Sequence, residues 1–261
     1  MATHPWTRTK GIGEMKMILR YWIVMVTLCS SIIANGSDFD SAFSDANKEY
    51  INGNYAKSIE IYSHILQERG DSAEVLYNTG NSYYKSGDIG NSILSLERAI
   101  WLDPGNADIV KNLNAIRKNT GLMSEEESLV NHYIGMLTLN QWTGVAASLI
   151  FVFACCVIGR SILLDSFSTR LFRNITIVLI CFGVVSLYGV VNQSLELERA
   201  IVTSSGVEVL ISPFDGAEQV ASLKTGRVVY VLKKHADYYS VKESSGTTGW
   251  VKISQITKVI P

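Results

Sequence analysis

The stretch that decides the fold of the N-terminal half is AEVLYNTGNSYYKSGDIGNSILSLERAIWLDPGN, residues 73–106. Apolar residues recur in it at helical spacing on both sides of Gly87, and Pro104 follows the second run. This pattern predicts two helices joined by a tight turn. When the sequence is shifted by 34 residues, Gly53 falls on Gly87 and the helical spacing returns. A period of this length with two helices per unit predicts an array of helical repeats.

Residue size in the two units indicates how the helices pack. Small residues stand at matching positions, with Ala46 and Gly80 on the first helices and Ser58 and Ser92 on the second. We expect these positions to let the paired helices approach closely. The large residues expected to fill the remaining space are Leu76, Tyr83, Leu96 and Ile100.

The two units resemble the tetratricopeptide repeat. The resemblance covers residues 39–72 and 73–106, and the second unit carries it best, through Gly80 and the closing Pro104. The first unit has Gly70 in place of that proline. The expected domain covers residues 37–122.

A capping helix is predicted over residues 107–119. Ile109, Leu113 and Ile116 share one face of it, and we expect them to cover the open end of the stack, as a terminal unit must.

The resemblance implies a groove lined by the first helix of each repeat. Its candidate partner-binding residues are Phe43, Asn47, Tyr50, Tyr77, Asn78, Asn81, Tyr84 and Lys111. Some members of the family bind C-terminal carboxylates there, and Asn47 and Asn78 match the asparagines of that clamp. The cationic positions of the clamp hold Phe43, Asp108 and Asn112, which favours general peptide binding over a carboxylate clamp.

The bulk composition places part of the chain in a membrane. The net charge of −1 gives no reason to expect a nucleic-acid partner. Hydrophobic residues make up 47% of the 261 residues, and the mean hydropathy of +0.17 is high for a soluble protein. The excess is concentrated in three apolar runs.

The first run predicts a secretory signal peptide over residues 1–36. Lys16 and Arg20 precede YWIVMVTLCSSIIANG, and Ala34 begins a small-residue cleavage site. An uncleaved anchor is the alternative, although the run is short for a membrane span.

The start of the chain leaves two further questions. Residues 1–14 look like an upstream extension, because Met15 or Met17 would begin a more usual signal. Cys29 raises the alternative of a lipoprotein, which the large Leu28 before it disfavours.

The other two runs predict transmembrane helices over residues 142–159 and 175–191. A juxtamembrane segment, 123–141, precedes them, and a connector, 160–174, joins them. A buried pair of core helices is the alternative. Neither run contains an ionisable residue, so we expect anchors and not a transport pathway.

Charge predicts the orientation of this hairpin. The connector carries Arg160, Arg170 and Arg173 against Asp165, whereas the outer flanks carry Glu125–Glu127 before the first run and Glu196 and Glu198 after the second. The positive-inside rule places the connector in the cytoplasm. We therefore expect a multi-pass protein of the bacterial inner membrane with both soluble parts on the periplasmic side.

Short alternating runs in residues 199–261 predict a small antiparallel barrel. Their order resembles the bacterial SH3-like family. The resemblance implies an aromatic binding surface, for which the candidates are Phe214, Tyr238, Tyr239 and Trp250. Packing of Tyr239 and Trp250 inside the barrel is the alternative.

The sequence offers no chemistry for an enzyme. The four histidines, at positions 4, 64, 132 and 235, have no cysteine or carboxylate at metal-ligand spacing. No phosphate-binding loop, dinucleotide fingerprint or nucleophile elbow is present. We expect no catalytic residue, metal or cofactor.

Taken together, the fold class is multidomain: an all-α repeat stack, a two-helix transmembrane hairpin and an all-β barrel. This order resembles the BatE proteins of Bacteroidetes and related bacteria. The resemblance implies an inner-membrane component of an aerotolerance operon, with von Willebrand factor A-domain Bat proteins and a MoxR-type ATPase as partners. The favoured hypothesis is a periplasmic scaffold that binds proteins through the groove. The alternative is a cell-wall sensor whose barrel binds peptidoglycan peptides.

Overall fold

The computed structural model describes residues 39–122, 133–162 and 169–260. The predicted signal peptide, residues 123–132 of the juxtamembrane segment and residues 163–168 of the connector lie outside these ranges.

Five helices form a stack in the N-terminal half. They are α1 (39–51), α2 (Tyr55–Arg69), α3 (Ala73–Ser86), α4 (Ile89–Leu102) and α5 (Ala107–Thr120). Gly53 and Gly87 turn the chain between the paired helices with φ of 81° and 90°, a left-handed conformation that glycine adopts without steric cost. The Asp88 side chain then accepts a hydrogen bond from the Asn91 amide and caps α4. The helical stack is as predicted.

Small residues bring the stacked helices together. A Cβ atom on Gly80 would lie only 2.8 Å from Leu96 Cγ, so α3 and α4 are as close as their backbones allow. The hydroxyls of Ser58 and Ser82 lie 3.1 Å apart between α2 and α3 and satisfy each other in the interior. Ala46 of α1 is fully buried.

The C-terminal part is one seven-stranded antiparallel sheet in the order β3-β2-β6-β5-β4-β1-β7. Its strands are β1 (Arg199–Val202), β2 (Val207–Leu210), β3 (Gln219–Leu223), β4 (Val228–His235), β5 (Tyr238–Glu243), β6 (Thr248–Lys252) and β7 (Ile256–Lys258). The buried residues of its core, such as Val207, Val229 and Val251, all come from the sheet itself. Because no helix of residues 39–122, 133–162 or 169–260 contributes to this core, the sheet curls over it.

The helical stack and the sheet pack against each other through a single apolar core. Ile201 on β1 and Val259 after β7 join Leu113 of α5 and Leu96 of α4 in that core. Strand β1 can contribute to both cores because its side chains alternate between two faces. Ala200 and Val202 face the core of the sheet, while Ile201 points to the helices. The face of α5 that carries Ile109, Leu113 and Ile116 is part of this shared core.

Polar contacts reinforce this packing. Arg98 of α4 donates hydrogen bonds to the backbone carbonyls of Val259 and Lys258, at 2.9 and 3.1 Å. Buried Glu97, also on α4, accepts from Arg117 of α5 and from Arg199 at the start of β1. Side chains of the stack and of the sheet therefore form the polar contacts that join the two units.

Gly90 allows α4 to lie directly on the end of the sheet. A Cβ atom there would lie 2.9 Å from Thr203 Cα and 3.0 Å from the Thr203 carbonyl oxygen, and backbone atoms cannot step aside. We expect Gly90→Leu to destabilise the packed pair by about 1–3 kcal/mol in urea unfolding of the full chain in detergent. Gly105, which has open space around it, provides the control. Equal midpoints for Gly90→Leu and Gly105→Leu would contradict the packing described here.

Two long apolar helices, α6 (Leu139–Ile162) and α7 (Thr169–Glu196), form a hairpin. In the sequence this hairpin lies between the stack and the sheet. They are long and apolar enough to cross a membrane, over Leu139–Ile158 and Phe172–Glu196, and the 18-residue windows that identify them are only 6% and 11% buried. Burial this low disagrees with the alternative of core helices. Helical structure extends beyond the predicted spans into the connector, 160–174, since α6 continues to Ile162 and α7 begins at Thr169.

The two long helices contact each other through small and polar groups near one end. Ser186 Oγ donates to the Trp142 carbonyl at 3.1 Å, and Gln193 Nε2 donates to the Leu137 carbonyl at 3.0 Å. The Trp142 ring packs on Gly189, where a side chain would collide with it.

Candidate functional site

The candidate groove is centred on one face of α3. Tyr77, Asn81 and Tyr84 stand at positions i, i+4 and i+7, and Asn78 lies beside them, three residues before Asn81. All four side chains are half-buried. The apolar face of the same helix, with Val75 and Leu76, is buried in the stack, and the rings of Tyr77 and Tyr84 pack against the edge of that core while remaining partly accessible.

Helix α5 forms one wall of the groove. Asn112 donates a hydrogen bond to Asn81, and Asn119 donates to the Tyr84 hydroxyl at 3.4 Å. Lys111, next to Asn112, is exposed and supplies a cation beside these amides. Three of the predicted residues, Asn81, Tyr84 and Lys111, therefore lie at the junction of α3 and α5.

Helix α1 brings Tyr50 to the other side of α3. The Tyr50 and Tyr55 rings meet edge to face with centroids 5.5 Å apart. Burial raises the pKa of Tyr50, and the nearby hydroxyls of Tyr55 and Tyr77 raise it further. Tyr50 therefore packs against Tyr55 at the start of α2.

Phe43 and Asn47 are engaged within the stack. The Phe43 ring lies 5.8 Å from the Tyr62 ring and the same distance from Phe39, and the Tyr62 hydroxyl donates to Asn47 Oδ1. Burial raises the pKa of Tyr62 to about 12. Through these contacts, Phe43 and Asn47 pack α1 against α2. The sequence pattern did not predict this packing.

The resulting face is suited to binding a peptide segment. Its tyrosine rings offer apolar area with a polar edge, and its amide groups can donate to and accept from a peptide backbone. The junction of α3 and α5 combines both features around Lys111. This face contains no nucleophile paired with a base.

The sheet offers a second aromatic site around Trp250. Lys233 Nζ lies 5.1 Å above the Trp250 ring, and the His235 ring meets it edge to face at 6.2 Å. Phe214 is 59% exposed in the loop between β2 and β3. Trp250 and Phe214 are therefore accessible, as a binding surface requires.

The placement of Tyr238 on the surface is wrong. Tyr238 is only 6% exposed. Its hydroxyl donates to Asp215 at 2.8 Å, and Lys252 pairs with the same carboxylate at 2.7 Å. These two hydrogen bonds, with that from Lys252 the larger influence, lower the pKa of Asp215. Tyr239 packs against the core of the sheet and is only partly accessible.

Sequence reasoning missed two side chains of the groove, Asn112 and Asn119. A further shift of 34 residues places Asn112 at the position of Asn78 and Lys111 at that of Tyr77, so the period could have found the first. Nothing in the repeat pattern singles out Asn119.

Within residues 39–122, 133–162 and 169–260, no cluster of three histidine, cysteine or acidic side chains is arranged to hold a metal ion. No model of a known protein family matches the chain, and no curated protein matches it.

Proposed function

We propose that this protein is a membrane-anchored scaffold that binds a protein partner through the groove of its tetratricopeptide-like stack. The observation that carries the proposal is the row of half-buried tyrosines and asparagines on α3, which α5 contacts through Asn112 and Asn119. Such a surface holds an extended or helical segment by hydrogen bonds and aromatic contact. The proposed activity is binding, without catalysis or a cofactor.

Membrane anchoring by α6 and α7 is part of the proposal. It is supported by the exposed apolar surface of both helices, where Ile150 and Phe151 are 70% and 69% exposed. Soluble proteins rarely expose an apolar area of this size to water. The basic residues of the connector favour a cytoplasmic turn, which places the stack and the SH3-like sheet together on the periplasmic side of a bacterial inner membrane.

The partners we propose follow from the resemblance to BatE proteins. They are membrane-bound von Willebrand factor A-domain Bat proteins and a MoxR-type ATPase system, in an aerotolerance or stress complex. The packing of the stack on the sheet supports a scaffold role, because two weak sites held on one rigid body raise each other's effective concentration.

Site-specific photo-crosslinking in native membranes tests the proposal. We expect a crosslinker in place of Lys111 to capture an A-domain partner, because that side chain borders the groove. The control is a crosslinker at Lys57, which is exposed on α2 and pairs with Glu60 at 3.0 Å. Capture of the same proteins at equal yield from both positions would overturn the groove as the binding site.

Truncation of the groove gives a quantitative version of this test. We expect Tyr77→Ala to weaken binding of the captured partner by about 30-fold, the effect of losing one aromatic anchor. The measurement is the dissociation constant for the full chain in nanodiscs, with thermal unfolding recorded in parallel. An unchanged dissociation constant would remove Tyr77 from the site.

The second candidate function is cell-wall binding by the sheet, favoured by the exposed Phe214 and by Trp250. The detergent-solubilised full chain should then sediment with purified sacculi, and Phe214→Ala should abolish this. Sedimentation that is the same for the variant would exclude this surface.

A further inference from the structure

The hairpin between β4 and β5 reaches back toward the end of α7. Only residues 197 and 198 separate α7 from β1, and the Val231 amide donates to the Glu198 carbonyl at 2.8 Å. In the antiparallel pairing, Arg199 lies opposite Tyr230, so β4 continues past the start of β1. Four more residues of β4 therefore extend beyond that bond, a length of about 13 Å. The tip of this hairpin, residues 232–237, therefore extends from the end of the sheet at which the chain enters from α7.

Residues 232–237, which we call the basic tip, are exposed throughout. Leu232 stands at an irregularity of β4, since Val231 pairs with Val241 but Lys233 pairs with Ser240, and it is 58% exposed. An apolar side chain pushed out of a strand in this way has no partner in the described part of the chain.

Charge on the basic tip is not balanced. In the described ranges, no carboxylate lies within ion-pair distance of Lys233 or Lys234, and Asp237 is the only acid on the tip. Two other acids at this end of the sheet are already paired, Asp215 with Lys252 and Glu198 with Lys258, each at 2.7 Å. The tip thus presents a net positive charge.

Phe214 extends this surface on the neighbouring loop. Tyr238, at the base of the hairpin, donates to Asp215, which holds the loop beside the tip. The exposed Phe214 ring and Leu232 side chain therefore lie beside lysines near the end of an apolar helix, the arrangement of a segment that rests in a bilayer interface.

We propose that the basic tip contacts the surface of the bilayer that α6 and α7 cross, with Lys233 and Lys234 against anionic lipid headgroups and Leu232 and Phe214 inserted just below them. This rests on the proposed membrane anchoring. Lysines close to an anionic surface are attracted to it, and exposed apolar side chains gain by leaving water. The contact would fix the tilt of the stack and the sheet over the membrane.

Spin labels on the full chain in nanodiscs test this. The native cysteines at 29, 155, 156 and 181 are replaced by serine, and a label is placed at Leu232→Cys, Ser244→Cys or Ile150→Cys. Ser244 is exposed in the turn at the opposite end of the same strand pair and is the matched control. In nanodiscs with 30% phosphatidylglycerol, roughly the charge of an anionic bilayer, we expect position 232 to be oxygen-accessible and position 244 to be water-accessible.

Reversing the charge of Lys233 and Lys234 then tests whether these lysines hold the tip at the bilayer. We expect Lys233→Glu with Lys234→Glu to return label 232 to water, whereas Lys224→Glu with Lys242→Glu, at exposed positions away from the tip, leaves it unchanged. A water-exposed label 232 beside a lipid-exposed label 150 would overturn the bilayer contact but leave the anchoring intact. A water-exposed label 150 would overturn the anchoring, and the proposal with it. A label 232 that is equally deep in purely zwitterionic nanodiscs would overturn the role of the lysines.

Discussion

Replacing Glu97 by alanine is expected to lower the free energy of unfolding of the packed stack and sheet by about 3–5 kcal/mol, the cost of leaving buried charges without a counter-ion. The Glu97 side chain is only 4% exposed, and its carboxylate accepts hydrogen bonds from Arg117 and, at 3.0 Å, from Arg199. Alanine would leave the buried Arg117 guanidinium without its carboxylate partner, and Arg199, which also pairs with Glu196 at 2.8 Å, would lose one of its two partners.

Arg199 explains why the loss should be large. Burial alone lowers the pKa of Arg199, but the carboxylates of Glu97 and Glu196 outweigh it and raise the pKa above its usual value. The charge is therefore held in place by its partners. Because Arg199 lies on β1 and Glu97 on α4, the loss should also loosen the sheet from the stack.

Urea unfolding of the full chain in detergent measures this effect, with Glu60→Ala as the control. Glu60 forms an exposed ion pair with Lys57 on α2, and its loss should cost less than about 1 kcal/mol. If the two variants unfold at the same urea concentration, Glu97 does not bridge two buried arginines. Replacing Glu97, Arg117 and Arg199 together by methionine, leucine and methionine should recover much of the stability, since the buried charges go as a set.

Leu96→Ala is the second substitution with a large expected effect, a loss of about 2–5 kcal/mol. Leu96 is fully buried at the centre of the core shared by the stack and the sheet. Truncation leaves a cavity that the surrounding helices cannot close, because α3 and α4 are already in contact at Gly80. Thermal or urea unfolding of the full chain measures the loss.

A double-mutant cycle tests the fit between Leu96 and Gly80. Gly80→Ala alone should destabilise, although alanine is the better helix former, because the added methyl would lie 2.8 Å from Leu96 Cγ. With Leu96 already truncated, the same methyl enters the cavity. We therefore expect the double variant to be more stable than the sum of the two single losses predicts. Strict additivity would mean that the two positions do not touch.

Much of the architecture could be read from local patterns. The 34-residue period located the paired helices because the small residues at Gly80 and Ser92 and the turn at Gly87 act within one unit. The apolar runs located α6 and α7, and alternation located the strands. Both helices extend beyond the apolar runs, since a helix ends where its hydrogen bonds end and not where its apolar run does.

The candidate sites were predicted less completely. The predicted groove residues of α3 are half-buried, whereas Phe43 and Asn47 contact Tyr62 of α2, and Tyr238 is buried, with its hydroxyl bonded to Asp215. Which of two neighbouring faces a side chain meets depends on the angle between helices or on the curl of a sheet. A one-dimensional pattern does not contain those angles.

The sequence by itself determined three classes of segment, in order: paired short helices, long apolar helices and short alternating strands. Each follows from the spacing of residues that are near one another in the chain. Only the tertiary structure decided that the stack and the sheet share a core, with Glu97 joined to Arg199 and Arg98 to Val259 across more than a hundred residues. Such contacts depend on matching shape and charge between surfaces that meet only after both have folded. The periodicity of the sequence does not indicate them.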